Sequence, residues 1–144
     1  DLAWDNLFWS CNDEKTCGKH KDKCRKYSGA IRCFNADDII HPANEDPERL
    51  LLFVSDGTVR PREGLSDSER HRAEETLRVF QLSTSAFLRK SREDMVKPYI
   101  GHIEMLMTLA PEHIVPYIQS ELPKAAKAPF ATCVKSFLES VIKT

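Results

Sequence analysis

Four of the five cysteines fall in the first quarter of the chain, at Cys11, Cys17, Cys24 and Cys33, and the fifth, Cys133, stands alone near the far end. Thiols clustered in this way staple a short segment through disulfides, hold a metal, or stay unpaired. The spacing is C-x5-C-x6-C-x8-C. Structural zinc sites mostly contain a tight knuckle with two to four residues between ligands, and no pair of cysteines here has it. Cys17 and His20 do have a two-residue gap, and Cys24 follows. A zinc site at Cys17, His20, Cys24 and Cys33 therefore stays open beside the disulfide reading, with Cys11 or His41 as substitutes. Disulfides need no knuckle, and nested pairs Cys17–Cys24 and Cys11–Cys33 would close a short hairpin. Four cysteines allow three pairings, among which the sequence does not choose. A stapled head points toward secretion. Cys133, between Phe130 and Phe137, suits a buried free thiol, which points the other way.

The same loops carry the densest positive charge. Residues 15–26 hold six Lys or Arg against one acid. Lys19, Lys21, Lys23, Arg25 and Lys26 form a candidate contact surface for another protein or, with Tyr27 and Phe34 stacking on bases, for nucleic acid. Trp4 and Phe8 share a helical face, with Trp9 beside them. They read as a docked N-terminal helix or as aromatic anchors for a partner.

Few residues elsewhere form a catalytic pattern. His102, Glu104 and His113 could meet in space, yet no H-E-x-x-H array occurs. Nucleophile elbows, phosphate-binding glycine loops and dinucleotide fingerprints are missing from the sequence. The expected function is a non-enzymatic protein–protein interaction module, a secreted factor or effector, binding through its basic head or a helical groove and needing no cofactor. The alternative is a nucleic-acid-binding module with a zinc-ordered head.

Whatever the head does, a helical body must position it. At 144 residues the chain can bury one core. With 41% hydrophobic and 30% charged residues it reads as a globular protein. A net charge of −1 sets up no global field toward nucleic acid or membrane. No apolar run approaches the roughly 20 residues of a membrane span. A start at Asp1 suits a mature, processed or excised chain.

The expected fold is mainly α: a compact bundle of about five helices behind an irregular cysteine-rich head. Residues 1–44 form the head and residues 45–144 the body, together one compact domain. Asp46 and Pro47 start the first helix, with Arg49 to Val54 as its body and Asp56-Gly57 as its stop. Ser66 and Glu69 form a capping box for a second helix running to about Lys90. Ser91 and Asp94 open a third, with Pro98 in its first turn, Leu109 at its end, and Tyr99, Ile100, Ile103, Leu106 and Met107 as its apolar set. Pro111 opens a fourth, with Ile114, Val115, Ile118 and Leu122 inward. Phe130 to Ile142 is the fifth, with Val134, Phe137, Leu138 and Val141 on one stripe.

Overall fold

The computed structural model describes His20, Lys21, Lys23, Cys24 and residues 34–143. Trp4, Trp9, Cys11, Cys17, Lys19, Arg25, Lys26 and Cys33, named above as candidate head residues, lie outside the described residues. The fold is mainly helical, and residues 34–143 form four α-helices rather than five, with one small hairpin. In chain order these are β1 (Leu51–Phe53), β2 (Val59–Pro61), α1 (Asp67–Val79), α2 (Ala86–Leu109), α3 (Ile114–Ala125) and α4 (Ala131–Lys143). Among the described residues no helix is long and apolar enough to cross a membrane.

The expected first helix is replaced by the hairpin. Asp46 does cap a helical turn, its side chain accepting from the Glu48 amide at 2.9 Å, and Pro47 follows it. The turn is a single 3-10 turn, Pro47–Arg49. Leu51–Phe53 then pairs antiparallel with Val59–Pro61 in the register Leu51↔Pro61, Leu52↔Arg60, Phe53↔Val59. A short apolar run is compatible with strand or helix, and its tertiary partners decide. The reversal is a three-residue loop closed by Val54 N–H to the Thr58 carbonyl at 3.0 Å. Gly57 takes the left-handed position there, at φ +80°. A Cβ on Gly57 would also stand 2.1 Å from the Arg89 carbonyl oxygen. Glycine is thus required twice over, by conformation and by space.

α1 begins as expected. The Glu69 amide donates to Ser66 Oγ at 3.3 Å, and the Ser66 amide donates back to Glu69 Oε2 at 2.9 Å. It ends at Val79, well short of Lys90. Gln81 adopts φ +52°, and the Leu82 amide reaches back to the Leu77 carbonyl at 3.0 Å. Hydroxyl side chains complete the break, because they offer the backbone local alternatives to a helical ladder. Ser83 Oγ donates to the Val59 carbonyl, and Ser85 caps α2 by accepting from the Leu88 amide at 3.3 Å.

α2 therefore starts earlier than expected and runs 24 residues, about 36 Å at 1.5 Å per residue. Pro98 lies inside it rather than in its first turn. Proline lacks the amide that would bond the Asp94 carbonyl, so the helix continues at the cost of one hydrogen bond. Pro116 in α3 falls in the first turn and loses none, whereas Pro123 lies inside.

Two apolar clusters form the core. Val96, Ile103, Ile118, Ala125, Cys133, Val134 and Leu138 join α2, α3 and α4. Ile40, Leu50, Leu51, Val59 and Ala73 join the hairpin to α1. Phe53 packs against both clusters and links them. The buried Arg92 adds a polar link: its Nη1 donates to the Gly57 carbonyl at 3.0 Å and the Leu82 carbonyl at 2.7 Å. Val134 and Leu138 are fully buried on the expected α4 stripe. Val115 and Met107, expected inward, are exposed, as is Phe87.

Candidate functional site

The described part of the head is a docking contact. His20, Lys21, Lys23 and Cys24 are helical, and Lys23 is exposed. His20 Nδ1 lies 2.9 Å from the Val79 carbonyl oxygen, an acceptor, which places the proton on that nitrogen. Cys24 Sγ lies 3.6 Å from the same nitrogen and is fully buried. The Arg78 guanidinium sits beside them. Its proton is held more tightly than usual, first by its hydrogen bond to Glu75 and, less strongly, by Cys24. Arg78 grips the buried Glu75 carboxylate with two bonds, Nε to Oε1 at 3.0 Å and Nη2 to Oε2 at 2.7 Å. His20 and Cys24 thus lie against the C-terminal end of α1, beside a groove of about 420 Å³ lined partly by His20, Arg78 and Gln81.

His20 and Cys24 are adjacent, but the ring nitrogen that faces Cys24 is the one bonded to the Val79 carbonyl. Cys17 and Cys33, their expected companions, lie outside the described residues. Among the described residues no three His, Cys, Asp or Glu side chains converge as a metal site. Among the described residues Cys24 forms no disulfide; the nested pairs Cys17–Cys24 and Cys11–Cys33 each involve cysteines outside the described residues. Cys133 is also free and buried, as its place on α4 suggested. Burial pushes its thiol above the ordinary value, the Arg92 charge opposes this, and Asp56 adds to it. Its Sγ–H points to the Val54 carbonyl at 3.5 Å and ties α4 to the hairpin.

His102, Glu104 and His113 have separate surroundings. His102 stacks on Tyr117, with ring centroids 4.2 Å apart and planes at 24°. Glu104 is exposed, and His113 is an exposed neighbour of Glu112 at 3.7 Å.

Two surface features remain. One is a groove of about 430 Å³ between α2 and α3, lined by Asp94, Tyr99, His102, Tyr117 and Glu121 among others. Burial raises the Tyr117 phenol above its ordinary value, with the Glu121 charge and Tyr99 adding to the effect. The other is the corner where α2 meets α3. Met105, Met107, Leu109 and Val115 are exposed there, Leu109 to 76%. Met105 and Leu109, four residues apart, share one helical face.

Leu109, Tyr117, Glu121 and Arg92 were not singled out by the sequence as site or anchor residues. Two signals were present. Tyr99 and His102 are three apart on α2, and Tyr117 and Glu121 four apart on α3, each pair facing one way. Arg92 interrupts the row Leu88, Arg92, Val96, whose members are all buried. No protein-family model, curated protein or solved structure matches this chain.

Proposed function

We propose that the chain is a non-enzymatic protein–protein interaction module that docks an apolar surface of another protein on the α2–α3 corner. One observation carries this reading. Of the six large apolar side chains exposed among the described residues, four (Met105, Met107, Leu109 and Val115) lie between positions 105 and 115 of the chain, and Met105 and Leu109 share one face of α2. Scattered exposed apolar residues need no explanation, whereas their concentration marks contact surfaces. Methionine suits such a surface because its flexible thioether adapts to the partner's shape. The separate, exposed positions of Glu104 and His113 support the non-enzymatic part of the reading.

The test is a pair of charge substitutions, Met105→Glu and Leu109→Glu. Both sites are exposed, so the fold should tolerate them. Partner binding that survives both substitutions in a folded chain contradicts the proposal.

A further inference from the structure

The outer face of the hairpin has a chemistry that the apolar corner does not explain. Leu52 and Arg60 stand opposite each other in the register, so their side chains share one face, with Val54 two residues on. Leu51 and Val59 turn the other way and are buried. Where α4 flanks the hairpin there is a groove of about 200 Å³. Ser55 and Arg60 line it from the hairpin and Ser136 and Phe137 from α4, together with Leu52 and Val54.

The only charge lining this groove is that of Arg60, and no carboxylate lines it. Among the described residues no hydrogen bond or ion pair engages the side chains of Arg60, Ser55 or Ser136. Ser136 differs in this from the hydroxyls inside the other helical turns. Thr76, Ser91, Thr108, Ser120 and Ser140 each donate to a carbonyl of their own helix, at 2.6 to 3.1 Å. The half-buried Ser136 hydroxyl makes no such bond. The acids next to these residues in sequence are held elsewhere, Asp56 by Thr58 and Arg89, and Glu139 by Lys143 at 3.9 Å.

The groove therefore presents a net positive charge and three side chains able to donate, with nothing accepting from them. A carboxylate matches the fork of a guanidinium in charge and geometry and still has room to accept from a hydroxyl. A cation would meet a like charge. A phosphoryl group carries about −1.5 to −2 charges, more than one guanidinium balances. The apolar side chains of Leu52, Val54 and Phe137 suit the methylene stem behind a carboxylate. We propose that this groove binds the side-chain carboxylate of an Asp or Glu in a partner protein. The proposal rests on the protein-binding reading above and adds a second contact of defined chemistry to it. Charge complementarity of this kind contributes specificity more than raw affinity.

The test uses the full chain and a pentapeptide, capped at both ends, with glutamate at its centre between two valines and outer glycines. A second peptide carries glutamine at the centre, which keeps the shape and loses the charge, and a third carries phosphoserine. Binding is followed by NMR of the Arg60 Nε–H and the Ser136 and Phe137 amides. The glutamate peptide should shift all three signals saturably and bind at least about 3-fold more tightly than the glutamine peptide. Arg60→Gln, at an exposed site, should abolish that preference, and Ser136→Ala should reduce it about 2-fold. Added salt should weaken the glutamate peptide alone. Equal affinity for the glutamate and glutamine peptides, no shifts at millimolar peptide, a preference that survives Arg60→Gln in the folded chain, or tighter binding of the phosphoserine peptide would each overturn the proposal. Leu109→Glu should leave peptide binding unchanged. Failure of the groove and failure of the corner are therefore read separately: the peptide reports the first, and Leu109-dependent partner binding the second.

Discussion

The guanidinium of Arg92 donates to the carbonyl of Gly57 at 3.0 Å, from the second turn of α2 to the tip of the hairpin. The same Nη1 reaches Leu82, so one buried side chain holds the hairpin, the α1–α2 break and α2 together. Removing it leaves two carbonyl groups without their donor in a buried setting. Arg92→Met should destabilise the chain by about 2–3 kcal/mol, read as a lower urea midpoint at constant slope. Gly57→Ala should cost about 1–3 kcal/mol from left-handed strain alone, and more through its approach to the Arg89 carbonyl.

The end of α1 carries the opposite opportunity. Gln81 holds φ +52° without being glycine. Glycine reaches that conformation without a steric penalty. Relief of about 1–2 kcal/mol of left-handed strain outweighs the roughly 0.4–1 kcal/mol that glycine costs through the looser unfolded chain, so Gln81→Gly should raise stability by about 0.5–1 kcal/mol in the same denaturation.

Cys133 gives a pH signature. Its folded thiol is raised above the ordinary value, mainly by burial. Below the ordinary thiol range both folded and unfolded chains keep the proton, and the contribution is fully present. As pH rises, the unfolded chain releases a proton that the folded chain retains, so stability falls. Between roughly pH 8 and 10 the wild type should lose stability faster than Cys133→Ala. In the native chain below that window, thiol reagents should modify Cys133 only at the rate of unfolding. Parallel pH curves for the two proteins would contradict this account.

The polar strap on α1 behaves in the acid range. Arg72 holds the Glu45 carboxylate below its ordinary value, first through their side-chain hydrogen bond. A depressed carboxylate stabilises the fold above its unfolded value and stops doing so as pH falls through the folded one. Glu45→Gln should cost about 1 kcal/mol at neutral pH, and the difference from wild type should vanish in acid.

How much of the fold was legible in the sequence depends on the range of the forces involved. The Ser66–Glu69 box and the Asp46–Pro47 cap are local, and both were readable. The stretch beyond Asp46 was not, because Leu51 to Phe53 become a strand only through pairing with Val59 to Pro61 and packing on α4. The break at Gln81 carries neither glycine nor proline, so the apolar period through Leu77, Phe80 and Phe87 runs across it without interruption. Pro98 has the marks of a helix start, yet α2 absorbs it with one lost bond. At the candidate site His102 drew notice as a titrating group. Its stacking partner Tyr117 lies on another helix, where no local spacing rule could join them. The exposure of Met107 and Val115 was equally hidden, since their helices run past the core at the corner.

The central claim is that the α2–α3 corner is a protein-docking surface. Its most direct test places a photo-crosslinking side chain at Leu109, and separately at the control position Lys143, in the full chain exposed to extract from its own source. The account predicts one defined protein adduct from position 109, absent from position 143 and lost when Met105→Glu is added to the same folded chain. Equal adducts from both positions, or an adduct at 109 indifferent to Met105→Glu, would contradict it.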